Sequence, residues 1–149
     1  MQEMSRAEWE VMRVVWTKGA ATSGDIIAVL AQKRDWADST IKTLLRRLVA
    51  KKALATTKAG RQFTYTPRIG EQATMQQEAG DFFARLCDMK KGAVLTTLVQ
   101  DTTLSQADIA KLQALLATKA KTAPTQVACN CLGDTCTCEM KEATSNGTD

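Results

Sequence analysis

Over most of this chain apolar residues recur every three or four positions, the spacing of amphipathic helices. Trp9, Met12 and Trp16 form a first such series, opened by Ser5-Arg6-Ala7-Glu8 and closed by Gly19. In that opening a serine hydroxyl accepts from the amide three residues on and a glutamate reaches back, the pattern of a capping box. A second start, Thr22-Ser23-Gly24-Asp25, precedes a stripe of Ile26, Val29 and Leu30. In the third series, "DSTIKTLLRRLVAKKAL", Ile41, Leu44, Leu45 and Leu48 fall on one face. Asp38 is a candidate cap for this helix.

The spacing then changes. Leu54 to Lys58 and Arg61 to Tyr65 are short runs bearing threonine and aromatic residues around Ala59-Gly60, which predicts a β-hairpin. Helical spacing returns over Glu71 to Lys90, with Phe82, Phe83, Leu86 and Met89 as its apolar side and Gly92 as its break. A short helix over Ala93 to Val99 follows. Ser105-Gln106-Ala107-Asp108 caps a last one, striped by Ile109, Leu112, Leu115 and Leu116. From Lys119 the pattern fades into a polar segment with Pro124, which reads as a flexible tether.

These elements predict a mainly α protein. Residues 1–70 form a winged helix, three helices with a β-hairpin wing. Residues 71–118 form a helical region, and residues 119–149 a flexible, cysteine-rich tail. The helices of 71–118 are too few and short to enclose a core alone, so pairing with a second copy is expected, giving a homodimer. The alternative is that they fold back on the first half of the same chain.

Charge sharpens the picture. The net +4 over 149 residues divides unevenly: residues 1–70 carry 13 Lys+Arg against 6 Asp+Glu, and residues 71–149 carry 7 against 10. A basic first half suits a polyanion. On the third helix, Ser39, Thr40, Lys42, Thr43, Arg46 and Arg47 lie away from the Ile/Leu stripe, with Lys51 at the C-terminal end. Arginine grips guanine with two hydrogen bonds and a threonine methyl touches thymine, so these residues are candidates for reading double-stranded DNA. Lys58 and Arg61 at the wing tip are candidates for its backbone. A solvated basic surface is the competing reading.

There is no histidine, no Gly-rich phosphate loop and no Ser/Asp constellation, so an enzyme is not expected. No apolar stretch is long enough for a membrane span. The first residues do not read as a secretion signal, so a cytoplasmic location is expected.

Four of the five cysteines, Cys129, Cys131, Cys136 and Cys138, stand in a C-x-C-x4-C-x-C array in the tail. Two residues apart in extended chain, both thiols of a pair point the same way. Leu132-Gly133-Asp134-Thr135 can turn one pair onto the other. In a reducing compartment such an array predicts a soft-metal site for zinc or Cu(I) rather than disulfides. With all sulfurs engaged, zinc would keep no open position for catalysis. Cys87, alone on its helix, reads as a small packing residue and not a ligand.

The stretch "DWADSTIKTLLRRLVAKKAL…GRQFTYTP" resembles the penicillinase-repressor (BlaI/MecI) family. That family's pattern is a tryptophan, T-[IV]-x-T-L-L-x-R-L, a lysine, and a tyrosine and proline after the wing. Here these are Trp36, Thr40 to Leu48, Lys51, and Tyr65 with Pro67. The cysteine array is similar to that of the family's copper-responsive branch, CopY.

The resemblance implies a homodimeric transcriptional repressor of copper-homeostasis genes. It implies a TACA…TGTA-type palindromic operator held in the zinc-loaded state. Cu(I) from a copper chaperone would displace zinc and release the DNA. Antibiotic-responsive members are instead cut at an Asn-Phe bond, but here Asn130 and Asn146 do not precede phenylalanine. Two other readings are a zinc or copper buffer or metallochaperone, and a repressor whose zinc hook is purely structural.

Overall fold

Helix α1, Arg6–Lys18, begins where the sequence places a cap. Ser5 Oγ accepts from the Glu8 amide at 3.1 Å, Glu8 returns a carboxylate to the Ser5 amide, and Gly19 closes the helix at φ 77°. Strand β1, Ala21–Thr22, leads into α2, Ser23–Lys33, through a second capping box between Thr22 and Asp25. Helix α3 is Asp38–Ala50. Its N-cap is Ala37 with no side-chain bond, so Asp38 is the first helical residue rather than the cap. A computed structural model provides these coordinates and describes residues 3–131.

The end of α3 is a Schellman motif. The Ala53 amide donates to the Leu48 carbonyl and the Lys52 amide to that of Val49, both at 3.0 Å, with Lys52 at φ 63°. Two strands follow, β2, Leu54–Ala59, and β3, Gln62–Pro67. They pair antiparallel from Leu54↔Pro67 to Ala59↔Gln62, with Gly60 and Arg61 as the two-residue turn. Gly60 has φ 65° and Arg61 does not share a positive φ, as a type II′ turn requires. Strand β1 pairs with the other edge of β3, so the sheet order is β1-β3-β2. Strand β1 was not expected from the residue pattern, because two residues are too few to show alternation.

The core of this first unit lies among the three helices and the base of the hairpin. Val11, Met12 and Val15 of α1 meet Ile26 and Leu30 of α2, Ile41, Leu44, Leu45 and Leu48 of α3, and Leu54 of β2. The α3 stripe is buried as its spacing predicts. On α1 the buried face is one step round from the expected one. Trp9 and Trp16 flank the core, edge to face with ring centroids 5.5 Å apart. The Trp16 indole donates to the Ile69 carbonyl at 2.9 Å, satisfying its polar edge. Val29 is only half-buried on α2.

The chain divides into two compact units, Met1–Asp81 and Phe82–Asp149. The division falls within α4, Glu71–Ala84. This helix stops six residues before the expected Lys90. Cys87 takes an extended backbone, φ −63° and ψ 123°, a single 3-10 turn follows at Asp88–Lys90, and α5 runs Lys91–Asp101. The break therefore sits at Cys87, and Gly92 lies inside the first turn of α5. Asp88 holds Lys91 in an ion pair at 2.6 Å across that turn.

Helix α6, Gln106–Ala120, opens with the expected Ser105–Asp108 capping box. No residue of α5 or α6 is buried: Leu98 is 52% exposed, Leu115 57% and Leu116 62%. Residues 121–131 have no helix or strand. Cys136, Cys138 and the expected turn at 132–135 lie outside the described residues.

Candidate functional site

Two places in the chain gather chemistry. The first is the open side of α3 with the hairpin. Burying Ile41, Leu44, Leu45 and Leu48 turns the remaining positions of the helix outward, so Ser39, Thr40, Lys42, Thr43, Arg46 and Arg47 are all exposed. They form two flanks. Lys42 and Arg46 line a groove with Arg61 of the wing turn and with Ser23, Thr56, Phe63 and Tyr65. Ser39, Thr40, Thr43 and Arg47 line a shallower hollow on the other side. The Thr43 hydroxyl donates to the Ser39 carbonyl at 2.9 Å, leaving its methyl and an acceptor lone pair for a ligand.

Three groove residues were missed as candidates on the wing. Thr56 pairs with Tyr65 and Lys58 with Phe63, and directly paired residues share one face of an antiparallel sheet. The i, i+2 alternation of Phe63 and Tyr65 carried that signal. Phe63 is 42% exposed, and Lys58 Nζ lies 5.4 Å from its ring centroid. Burial raises the Tyr65 phenol above its ordinary range, with the Arg46 charge opposing.

Lys51 is placed apart from this group. Its Nζ donates to Glu8 Oε2 at 2.6 Å and to the Glu3 carbonyl at 2.8 Å, and its side chain is 19% exposed. That ammonium neutralises a buried carboxylate of α1 rather than standing open on the α3 face.

The second place is a thiol cluster in the Phe82–Asp149 unit. Cys129 and Cys131 Sγ atoms lie 2.8 Å apart, and the Cys131 amide donates to Cys129 Sγ at 3.3 Å. Cys87 joins them: all three sulfurs fall within 4.8 Å of one another. Burial raises the Cys87 thiol. Hydrogen bonds from Cys131 and Cys129 and from the Met89 and Lys90 backbone outweigh this and bring it down to about 7. Among the described residues the cluster consists of three soft sulfur donors, and these fit a thiophilic ion such as zinc or Cu(I).

A helix with exposed hydroxyls and arginines, flanked by a wing with a basic tip, defines a DNA-binding protein of the winged-helix class. Residues 4–118 match the penicillinase repressor family, and the chain belongs to it. It is 52% identical over 140 residues to a 16.5 kDa protein of the ptsI 3′ region of Latilactobacillus sakei, covering 94% of this chain and 96% of that one. It is 32% identical over 114 residues to the penicillinase repressor of Bacillus licheniformis, covering 76% of this chain and 89% of that one. A solution structure of the DNA-binding domain of the repressor BlaI is 40% identical over 48% of this chain and 90% of its own length, with a TM-score of 0.44. The family is one of DNA-binding transcriptional repressors, and the chain is accordingly not an enzyme. Among the described residues no helix is long and apolar enough to cross a membrane.

Proposed function

We propose that this repressor is copper-responsive: a cytoplasmic homodimer that holds a TACA…TGTA-type palindrome in its zinc-loaded form and releases it when Cu(I), delivered by a copper chaperone, takes the tail thiols. One observation carries this reading. The cysteine array begins at Cys129, beyond the family-matched residues 4–118, and its first pair already presents two sulfurs 2.8 Å apart. The thiols are therefore an addition to a repressor frame, and soft donors of this kind choose among zinc and Cu(I) rather than among hard ions.

Cys129, Cys131, Cys136 and Cys138 would hold the metal, which when bound fixes the geometry of the tail. A divalent zinc with four thiolates carries the same net charge as two Cu(I) ions with four. The response then lies in shape, a closed tetrahedron against a lower-coordinate cluster, and not in charge. Ser39, Thr40, Lys42, Thr43, Arg46 and Arg47 would meet the major groove, with Lys58 and Arg61 on the backbone. Pairing of two chains is supported by the apolar residues of α5 and α6, none of which is buried within one chain.

A gel-shift titration tests the reading. Zinc-loaded protein should retain a palindromic duplex, and Cu(I) under reducing conditions should release it. Equal retention of the duplex in both metal forms would sink the copper response and leave a structural zinc hook. Binding without sequence preference would point to a metal buffer instead.

A further inference from the structure

The tail array leaves the fifth thiol without a part. Cys87 precedes Cys129 by 42 positions, yet its Sγ lies 3.5 Å from that of Cys129 and 3.4 Å from that of Cys131. A cysteine serving only as packing would sit among apolar side chains. Cys87 is instead half-buried, at the break between α4 and α5, and faces two sulfurs.

The distances suit an ion. A metal about 2.3 Å from each of three sulfurs holds them roughly 3.8–4.0 Å apart, whether tetrahedral or planar. The two separations that involve Cys87 need to widen by a few tenths of an ångström. The Cys129–Cys131 separation of 2.8 Å needs to widen by about 1 Å, within reach of a side-chain torsion at the exposed Cys131.

A second contact, independent of sulfur, brings the same two stretches together. Asn130, which stands between the two tail thiols, accepts through Oδ1 from the amide of Asp88 at 2.7 Å. The residue after Cys87 is thus latched to the residue between Cys129 and Cys131. The Cys87 backbone is extended because the helix has broken there, and this break carries the thiol off the α4 helix toward the tail segment.

We propose that Cys87 is a metal ligand, completing with Cys129 and Cys131 a three-thiolate site for one Cu(I) ion. Three sulfurs are a coordination number that this soft monovalent ion accepts, and each thiol loses its proton to water as it binds. The ion then bridges the tail to the junction between α4 and α5. Loading is felt directly by the helical unit, not only within a tether. This inference rests on the metal-responsive reading above.

Full-length reduced protein, titrated with Cu(I) under anaerobic conditions against a chromogenic Cu(I) chelator, tests it. Cys87→Ser should weaken binding of one Cu(I) by tenfold or more. Unchanged affinity and stoichiometry in that variant overturns the assignment. A second measurement does not depend on the variant folding. In wild-type protein, Cu(I) should slow alkylation of Cys87 at least tenfold, read by mass spectrometry of the modified peptide. Cys87 alkylated equally fast with and without Cu(I), while the protein binds the ion, overturns the Cys87 role and leaves the tail array standing. A wild-type protein that binds no Cu(I) removes the copper-responsive reading and this one with it.

Discussion

Lys51 Nζ lies 2.6 Å from Glu8 Oε2, joining the end of α3 to the first turn of α1. Glu8 is 2% exposed and also closes the capping box on Ser5, so one carboxylate both starts a helix and holds two helices together. Removing the lysine leaves a buried charge without its partner. Lys51→Met is expected to cost about 2–3 kcal/mol, toward the lower end for a buried pair because the lysine is partly solvated. Urea denaturation at neutral pH reads the loss. Operator affinity of the folded variant should change less than tenfold, since this ammonium is already engaged.

Arg46 and Arg61 line one groove from opposite sides, one on the helix and one on the wing turn. Arg46→Ala should cost about 1–3 kcal/mol on the cognate duplex and relax preference at one base position. Arg61→Ala should weaken all duplexes alike and reduce the salt dependence of binding by about one counterion. Fluorescence anisotropy on cognate and scrambled duplexes across a salt series separates the two. Uniform weakening by Arg46→Ala would reassign it to the backbone.

Lys52 occupies the left-handed position of the Schellman motif at φ 63°, where glycine carries no Cβ penalty. That conformation costs an L-residue about 1–2 kcal/mol, and the extra freedom of an unfolded glycine returns about 0.5–1 kcal/mol. Lys52→Gly should therefore raise stability by about 0.5–1 kcal/mol, seen as a higher urea midpoint at an unchanged slope.

Asp25 links stability to pH. The Thr22 amide, donating to Oδ2 at 3.0 Å, and then the Thr22 side chain hold its carboxyl below the ordinary range. A depressed carboxylate stabilises the fold above its unfolded value, about 3.9, and this contribution is lost as pH falls through the folded value. Asp25→Asn should therefore melt lower than wild type at pH 6, and the gap should narrow as pH falls below the unfolded value. A gap that stays constant across this range would exclude the linkage.

Local rules made much of this structure legible. The boxes at Ser5, Thr22 and Ser105 each start a helix, because a cap needs only residues three positions apart. The Ile41–Leu48 stripe fixes the face of α3, and so the exposure of Arg46 and Arg47, by periodicity alone. The features that escaped depend on residues distant in sequence. Lys51 finds Glu8 across 43 positions and Cys87 finds Cys129 across 42, and no window of sequence contains either pair. The break of α4 at Cys87 also escaped, since Phe82, Phe83, Leu86 and Met89 keep helical spacing straight through it. The face shared by Thr56, Lys58, Phe63 and Tyr65 required the strand register, which Gly60 sets.

The segment between Cys87 and Cys129 contains all of α5 and α6, so an ion held by both sulfurs would close a ring in the polymer sense. A crosslink across a ring of 42 positions withdraws about 4 kcal/mol of disorder from the unfolded chain by the loop-closure relation. Heat resistance of these two helices would then rise and fall with the filling of one small sulfur nest, making a melting curve a gauge of its occupant.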